Sequence, residues 1–254
     1  MRLDLFLVEK KYFTSRSKAQ EEIKQGHVEV NGKIILKPNF DVEDNATIKL
    51  DNLCPFVSRG GFKLLEAIKT FHLDFEDKVV LDIGASTGGF TDCSLQHGAK
   101  LVYSVDVGSN QLAEKLKEDS RVISYENTNV LDLSLSVTPD ILVMDVSFVS
   151  IKHLIPSLLR FLNKDNYLVL LIKPQFEVGK MIDKGIIKDR NIHLKVLENV
   201  CAYLEETGLY INKLAPSPIK GGSGNIEFLA LVSKEKRGYI DFLEVVNNAH
   251  KRGD

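Results

Sequence analysis

A chain of 254 residues, 44% hydrophobic and 27% charged, has the make-up of a soluble globular protein with room for a small domain beside a larger one. Its longest apolar runs are strand length, far below the roughly 18–20 residues that span a bilayer, and acidic residues interrupt the apolar N-terminus, which makes it a poor secretion signal. The net charge of −2 removes any general argument for nucleic-acid binding, so such a claim has to rest on where the basic residues lie.

Three scattered cysteines, Cys54, Cys93 and Cys201, have neither disulfide nor metal-ligand spacing, which predicts a reduced cytoplasmic setting and no structural metal. The six histidines are dispersed and read as surface or structural residues.

Taken in chain order, residues 1–53 form a separate unit. A short amphipathic helix begins at Leu3 and ends near Lys10 and Lys11. Thr14 and Ser15 are cap candidates for a second helix from Arg16 to Gln25, with Gly26 as its stop. Asn31-Gly32 between alternating apolar residues predicts a tight hairpin, and Thr47–Leu50 a further short strand. Lys10, Lys11, Arg16, Lys18 and Lys24 gather on these helices, with Lys33 and Lys37 in the hairpin, as candidate phosphate contacts; acidic neighbours interleave with them.

After a linker at 54–57, residues 58–254 alternate strands and helices. Ser58 is the expected cap of a helix that carries Arg59 and Lys63. Strands are predicted at 79–83, 101–105, 121–124, 140–145, 167–172, 210–214 and 226–232, and helices at 88–97, 109–118, 149–162 (interrupted by Pro156), 191–206 and 239–248. This alternation indicates an α/β fold, a mostly parallel sheet covered on both faces, beside the small α+β N-terminal unit.

Two features of this sheet carry chemistry. The first is the turn Asp82-Ile-Gly84-Ala-Ser86-Thr87-Gly88-Gly89-Phe90 after the first strand of the larger domain. Its glycines permit a tight turn and close ligand approach at a helix N-terminus. The spacing departs from that of dinucleotide enzymes. Asp106 ends the next strand, where a carboxylate accepts from ribose hydroxyls, and Thr128 and Asn129 lie at the end of the third. Asp82 would repel a pyrophosphate and suits a ligand bearing an ammonium and a sulfonium, which favours S-adenosyl-L-methionine over a nicotinamide dinucleotide. The second feature is the set Lys63, Asp145, Lys173 and Glu227, each at the edge of a predicted element, where the ligands of an open parallel sheet collect.

The turn, Met144–Phe148, Ile172–Glu177 and Gly221–Phe228 together resemble the hemolysin A (TlyA) family of ribosomal RNA 2′-O-methyltransferases. The larger domain is similar to FtsJ-type RNA methyltransferases, and residues 1–50, through Ser15–Ala19 and Gly26–Gly32, resemble the RNA-binding domain named after small-subunit ribosomal protein four. The resemblance implies a Rossmann-like methyltransferase in which Lys63, Asp145, Lys173 and Glu227 form the catalytic tetrad. It further implies that S-adenosyl-L-methionine is held by Asp82, Gly84, Ser86, Thr87, Gly88, Gly89, Phe90, Asp106, Asn129 and Asp145, and that the substrate is a cytidine ribose of large-subunit RNA.

Lys173 is the candidate base, with Lys63 as a cation beside it. RNA contacts are expected from Lys10, Lys11, Arg16, Lys18, Lys24 and Arg59, with Lys180, Lys184, Lys188 and Arg190 in a loop after Lys173. The chain starts almost directly at its first predicted helix, without the basic extension expected of members that also modify small-subunit RNA. The rival readings are a membrane-active hemolysin, a nicotinamide-dependent oxidoreductase and a noncatalytic ribosome-binding module.

Overall fold

The computed structural model describes residues 1–13, 15–51, 54–179, 185–221 and 224–251. It divides into two compact units, Met1–Pro55 and Phe56–Asp254. Thr14, Lys180, Lys184, Gly222 and Ser223 of the sequence reading lie outside the described residues.

In the first unit α1 (Leu3–Glu9) and α2 (Arg16–Lys24) pack on a three-stranded antiparallel sheet, β2 (Lys33–Ile34), β1 (Val28–Val30) and β3 (Ile48–Leu50), in that order. Ser15 caps α2 by accepting from the Lys18 amide. Asn31 and Gly32 both take positive φ, 49° and 79°, as the tight hairpin between β1 and β2 requires. Leu3, Phe6, Leu7, Ala19, Ile23, Val28, Val30 and Val42 close the core.

The second unit opens with α3 (Gly60–Phe71) and continues through β4 (Val79–Ile83), α4 (Gly89–Gln96), β5 (Leu101–Val105), α5 (Glu114–Lys117), β6 (Val122–Tyr125), β7 (Ile141–Met144) and α6 (Ile155–Leu158). It ends with β8 (Tyr167–Ile172), α7 (Pro174–Glu177), α8 (Arg190–Glu206), β9 (Tyr210–Pro216), β10 (Phe228–Ser233) and α9 (Phe242–Lys251). The seven strands run β6-β5-β4-β7-β8-β10-β9, with β4 to β8 parallel and β10 antiparallel to both its neighbours. The chain moves outward from β4 to β6 and then returns to place β7 on the other side of β4. The carboxyl ends of β4, β5 and β7 therefore flank a topological switch point, where such sheets bind ligands.

Several expected boundaries move for local reasons. The cap position of α3 is Arg59, one residue after the expected Ser58, and it makes no side-chain cap bond; the Ser58 carbonyl accepts from Gly61. The helix expected at 109–118 shrinks to α5, because the Gln111 and Leu112 amides are taken by the Glu126 carboxylate and Asn110 turns left-handed at φ 54°. The 149–162 helix breaks into a one-turn 3-10 segment, Ile151–His153, and α6 with Pro156 in its first turn.

Candidate active site

Strand register brings the four predicted residues together. Asp145 follows β7 and Lys173 follows β8, neighbouring parallel strands whose ends lie side by side. Because β10 is antiparallel to β8, with Phe228 opposite Ile172, its beginning lies at the end of β8 and sets Glu227 beside Lys173. Lys63 reaches the same point from α3.

The Lys63 amine lies 3.2 Å from Asp145 Oδ2 and 2.8 Å from Glu227 Oε2, while the Lys173 amine lies 2.6 Å from Asp145 Oδ1. Lys173 also donates to Ser147 Oγ at 2.7 Å. Lys63, Lys173 and Glu227 are only 8%, 7% and 3% exposed, so these charges are enclosed. Burial alone pushes the Lys63 ammonium down, but the adjacent charges of Asp145 and Glu227 outweigh it and hold its pKa above the ordinary lysine value. Lys63 is therefore the permanent cation of the group. Asp145, with one oxygen toward each lysine, is the hub. Gly221 backs Glu227 so closely that a Cβ there would lie 2.4 Å from its Oε1.

A cavity of about 380 Å³ adjoins the tetrad. Ile83 and Gly84 from the turn, Val105–Val107 after β5, Thr128–Val130 and Asp145–Val149 line it, among others. Asp106 stands there with one carboxylate oxygen accepting from Ser86 N–H and the other from Gly108 N–H, both at 2.7 Å. Asn129 caps the 3-10 turn that follows it by accepting from Leu131 N–H. A fixed carboxylate suited to a ribose diol, flanked by apolar Val105, Val107, Val130 and Leu154, fits an adenosine group.

Gly84, Ser86, Asp106, Asn129 and Asp145 of the expected cofactor set line this cavity, and Asp82, Thr87, Gly88, Gly89 and Phe90 do not. Asp82 is not at a strand end but inside β4 and fully buried, accepting from the Thr91 hydroxyl at 2.7 Å. Its other oxygen has no hydrogen-bond partner among the described residues. Burial, with Asp145 and Asp106 adding smaller repulsions, pushes its pKa up to about 7. Gly88 and Gly89 serve packing: a Cβ on Gly88 would lie 2.3 Å from Leu116, and one on Gly89 2.4 Å from Ser58 Oγ. Phe90 is buried in the face of α4. Gly84 has both reasons, φ +79° and only 3.0 Å of room before the Asp145 carbonyl.

Sequence reasoning assigned no role to Ser147 or Phe148. Phe148 lines the cavity, is 91% exposed and holds a left-handed backbone at φ 66°. An aromatic residue in that conformation is a strained, functional signal that no periodicity reveals.

Among the expected RNA-contact residues, Lys10, Lys11, Arg16 and Lys24 are exposed. Lys18 is not available as expected: its amine is buried and paired with Glu22 at 2.7 Å. Arg16 donates through Nε to the buried Asp4 at 2.9 Å, and Arg2 pairs with the same oxygen at 3.0 Å. Arg59, in the second unit, is half-buried.

The FtsJ-like methyltransferase model matches residues 56–234 and the S4 domain model residues 1–48. The chain belongs to the FtsJ-like methyltransferase family. It is 44% identical to hemolysin A of Brachyspira hyodysenteriae over 91% of this chain and 98% of that protein. It is 35% identical to the 23S rRNA (cytidine-2′-O)-methyltransferase TlyA of Campylobacter jejuni over 90% of this chain and 97% of that one. The solved structure of a candidate hemolysin from Streptococcus thermophilus superposes with a TM-score of 0.80 at 41% identity, covering 99% of this chain and 96% of that one. The α/β methyltransferase fold and the hemolysin A (TlyA) relationship read from the sequence both hold. No described helix is long and apolar enough to cross a membrane.

Proposed function

We propose that this protein transfers a methyl group from S-adenosyl-L-methionine to the ribose 2′-hydroxyl of a cytidine in ribosomal RNA, with large-subunit RNA as the substrate. The observation that carries this reading is the enclosed Lys63–Asp145–Lys173–Glu227 group at the rim of a cavity fitted to an adenosine. When bound, S-adenosyl-L-methionine supplies an electrophilic methyl on a sulfonium. Asp106 would hold its ribose, Asn129 and Thr128 its base edge, and Gly84 and Ser86 the turn beneath it.

A ribose hydroxyl is a weak acid and needs a base within hydrogen-bond reach. Lys173 takes that role, with its amine oriented by Asp145 Oδ1 and Ser147 Oγ. Lys63 stays protonated and bridges the two carboxylates, Asp145 and Glu227. Holding the hydroxyl in line removes roughly 7–11 kcal/mol of barrier in favourable cases, against about 10²–10⁴ in rate for the base itself, so positioning, to which Asp145 contributes by orienting both lysines, is the larger of the two effects in such cases. Phe148 offers an exposed ring at the same rim for stacking the target base.

The first unit binds RNA through the exposed Arg2, Lys10, Lys11, Arg16 and Lys24, and the reaction belongs to the cytoplasm, where ribosomal RNA is found. Incubation with unmodified large-subunit RNA, followed by nucleoside mass spectrometry, is expected to yield 2′-O-methylcytidine. A base-methylated nucleoside, or no methylated product, would overturn the assignment.

A further inference from the structure

The short helix α7 and the residue before it make three links between the end of β8 and the loop that follows β7. Lys173, just before it, donates to Ser147. Phe176 meets Phe148 with ring centroids 5.3 Å apart and planes tilted by 50°. Glu177 closes the series: Oε2 accepts from the Ser150 hydroxyl at 2.7 Å and Oε1 from the Ile151 amide at 2.9 Å. Phe148 sits between the first and last links, left-handed at φ 66° and 91% exposed. Nothing local favours that conformation for a phenylalanine, so the surroundings must impose it. The Phe176 ring covers little of Phe148, as the exposure shows, so the loop is held from its ends, by the hydrogen bonds there and by Val146 and Ile151 packed in the core.

We propose that Glu177 is a positioning residue for the methyl-transfer site, pinning the loop 147–151 so that Phe148 is presented outward to a nucleobase and Ser147 is kept against Lys173. The proposal rests on the RNA methyltransferase reading above. Glu177 is half-buried, and both its carboxylate oxygens are engaged by this loop, so it acts on the tetrad through the loop. Burial raises its pKa above the ordinary value, in keeping with a carboxylate withdrawn from solvent to serve two donors of one loop.

The chain contains no tryptophan, so Phe148→Trp introduces a single fluorescent reporter at the loop itself. In that background Glu177→Ala should lower the anisotropy of the reporter in RNA-free protein. It should also reduce kcat/KM for RNA by on the order of tenfold, which corresponds to about 1.4 kcal/mol. Glu177→Gln keeps an acceptor for the Ile151 amide and should recover both signals in large part. Ser150→Ala, which removes one bond from the loop side, should reproduce a smaller version of the alanine effect and serves if Glu177→Ala does not fold.

Unchanged anisotropy and kcat/KM in Glu177→Ala would overturn the proposal, as would changes that the glutamine variant fails to reverse. If the unsubstituted protein methylates no RNA, the functional reading fails on its own. The anisotropy series still decides whether Glu177 fixes the loop.

Discussion

Both units bury carboxylates against cations, and they do so to opposite ends. In the first unit the side chain of Asp4 is fully enclosed while the arginines it holds, Arg2 and Arg16, keep side-chain exposures of 45% and 50%. The carboxylate is hidden and the cations are displayed. Hydrogen bonding from Arg2, with Gln20 and Arg16, holds the Asp4 pKa well below the usual carboxylate range, so the anchor stays charged. In the second unit the Lys63 side chain is 10% exposed and that of its partner Glu227 2%. There the cations are enclosed with their partners. Displayed cations suit phosphate contacts, whose strength depends on salt, whereas enclosed ones can hold and move a proton away from solvent.

Asp82 offers the largest test, because it is an enclosed carboxylate with no cation paired to it among the described residues. Its pKa, raised to about 7 from 3.8, means that the folded state keeps the proton longer than the unfolded chain. Stability therefore falls as pH rises from about 4 to 7, and the cost stays constant above that range. Asp82→Asn should raise the melting temperature above pH 7 by an amount worth a few kcal/mol and have no effect near pH 3. A substitution that destabilises more above pH 7 than near pH 3 would place Asp82 among the satisfied charges instead.

A smaller effect is expected on the displayed side. Replacing Arg2 and Arg16 by glutamine should weaken RNA binding at low salt and reduce the slope of log affinity against log salt by about one for each arginine that contacts a phosphate. Melting temperature, followed alongside, separates loss of contact from loss of the Asp4 anchor. An unchanged salt slope would remove these arginines from the RNA interface.

The strands were legible because parallel, doubly covered strands read as continuous apolar runs, and the bounds of β4, β5 and β8 coincide with their runs. Asp145 and Lys173 were legible for the same reason, since strand ends mark where ligands gather, whereas Lys63, on α3, was joined to them as a tetrad by the family resemblance. Less legible were contacts set by tertiary packing. The sequence cannot say that Gly88 and Gly89 make room for Leu116 and Ser58, because a packing glycine and a ligand-approach glycine look alike. The Lys18–Glu22 pair, four residues apart on α2, was within reach of the spacing and went unread, whereas spacing does not disclose that Glu126 unwinds the start of α5. Phe148 went unassigned because its backbone conformation, not its neighbours in sequence, singles it out.

The central claim is that an enclosed amine beside Asp145 assists methyl transfer to a sugar oxygen. Single-turnover transfer from radiolabelled S-adenosyl-L-methionine to unmodified large-subunit RNA by Lys173→Ala, with cofactor affinity measured by calorimetry, tests it most directly. The variant's rate should be lower by about 10²–10⁴ with cofactor binding retained. A wild-type rate in that variant would contradict it.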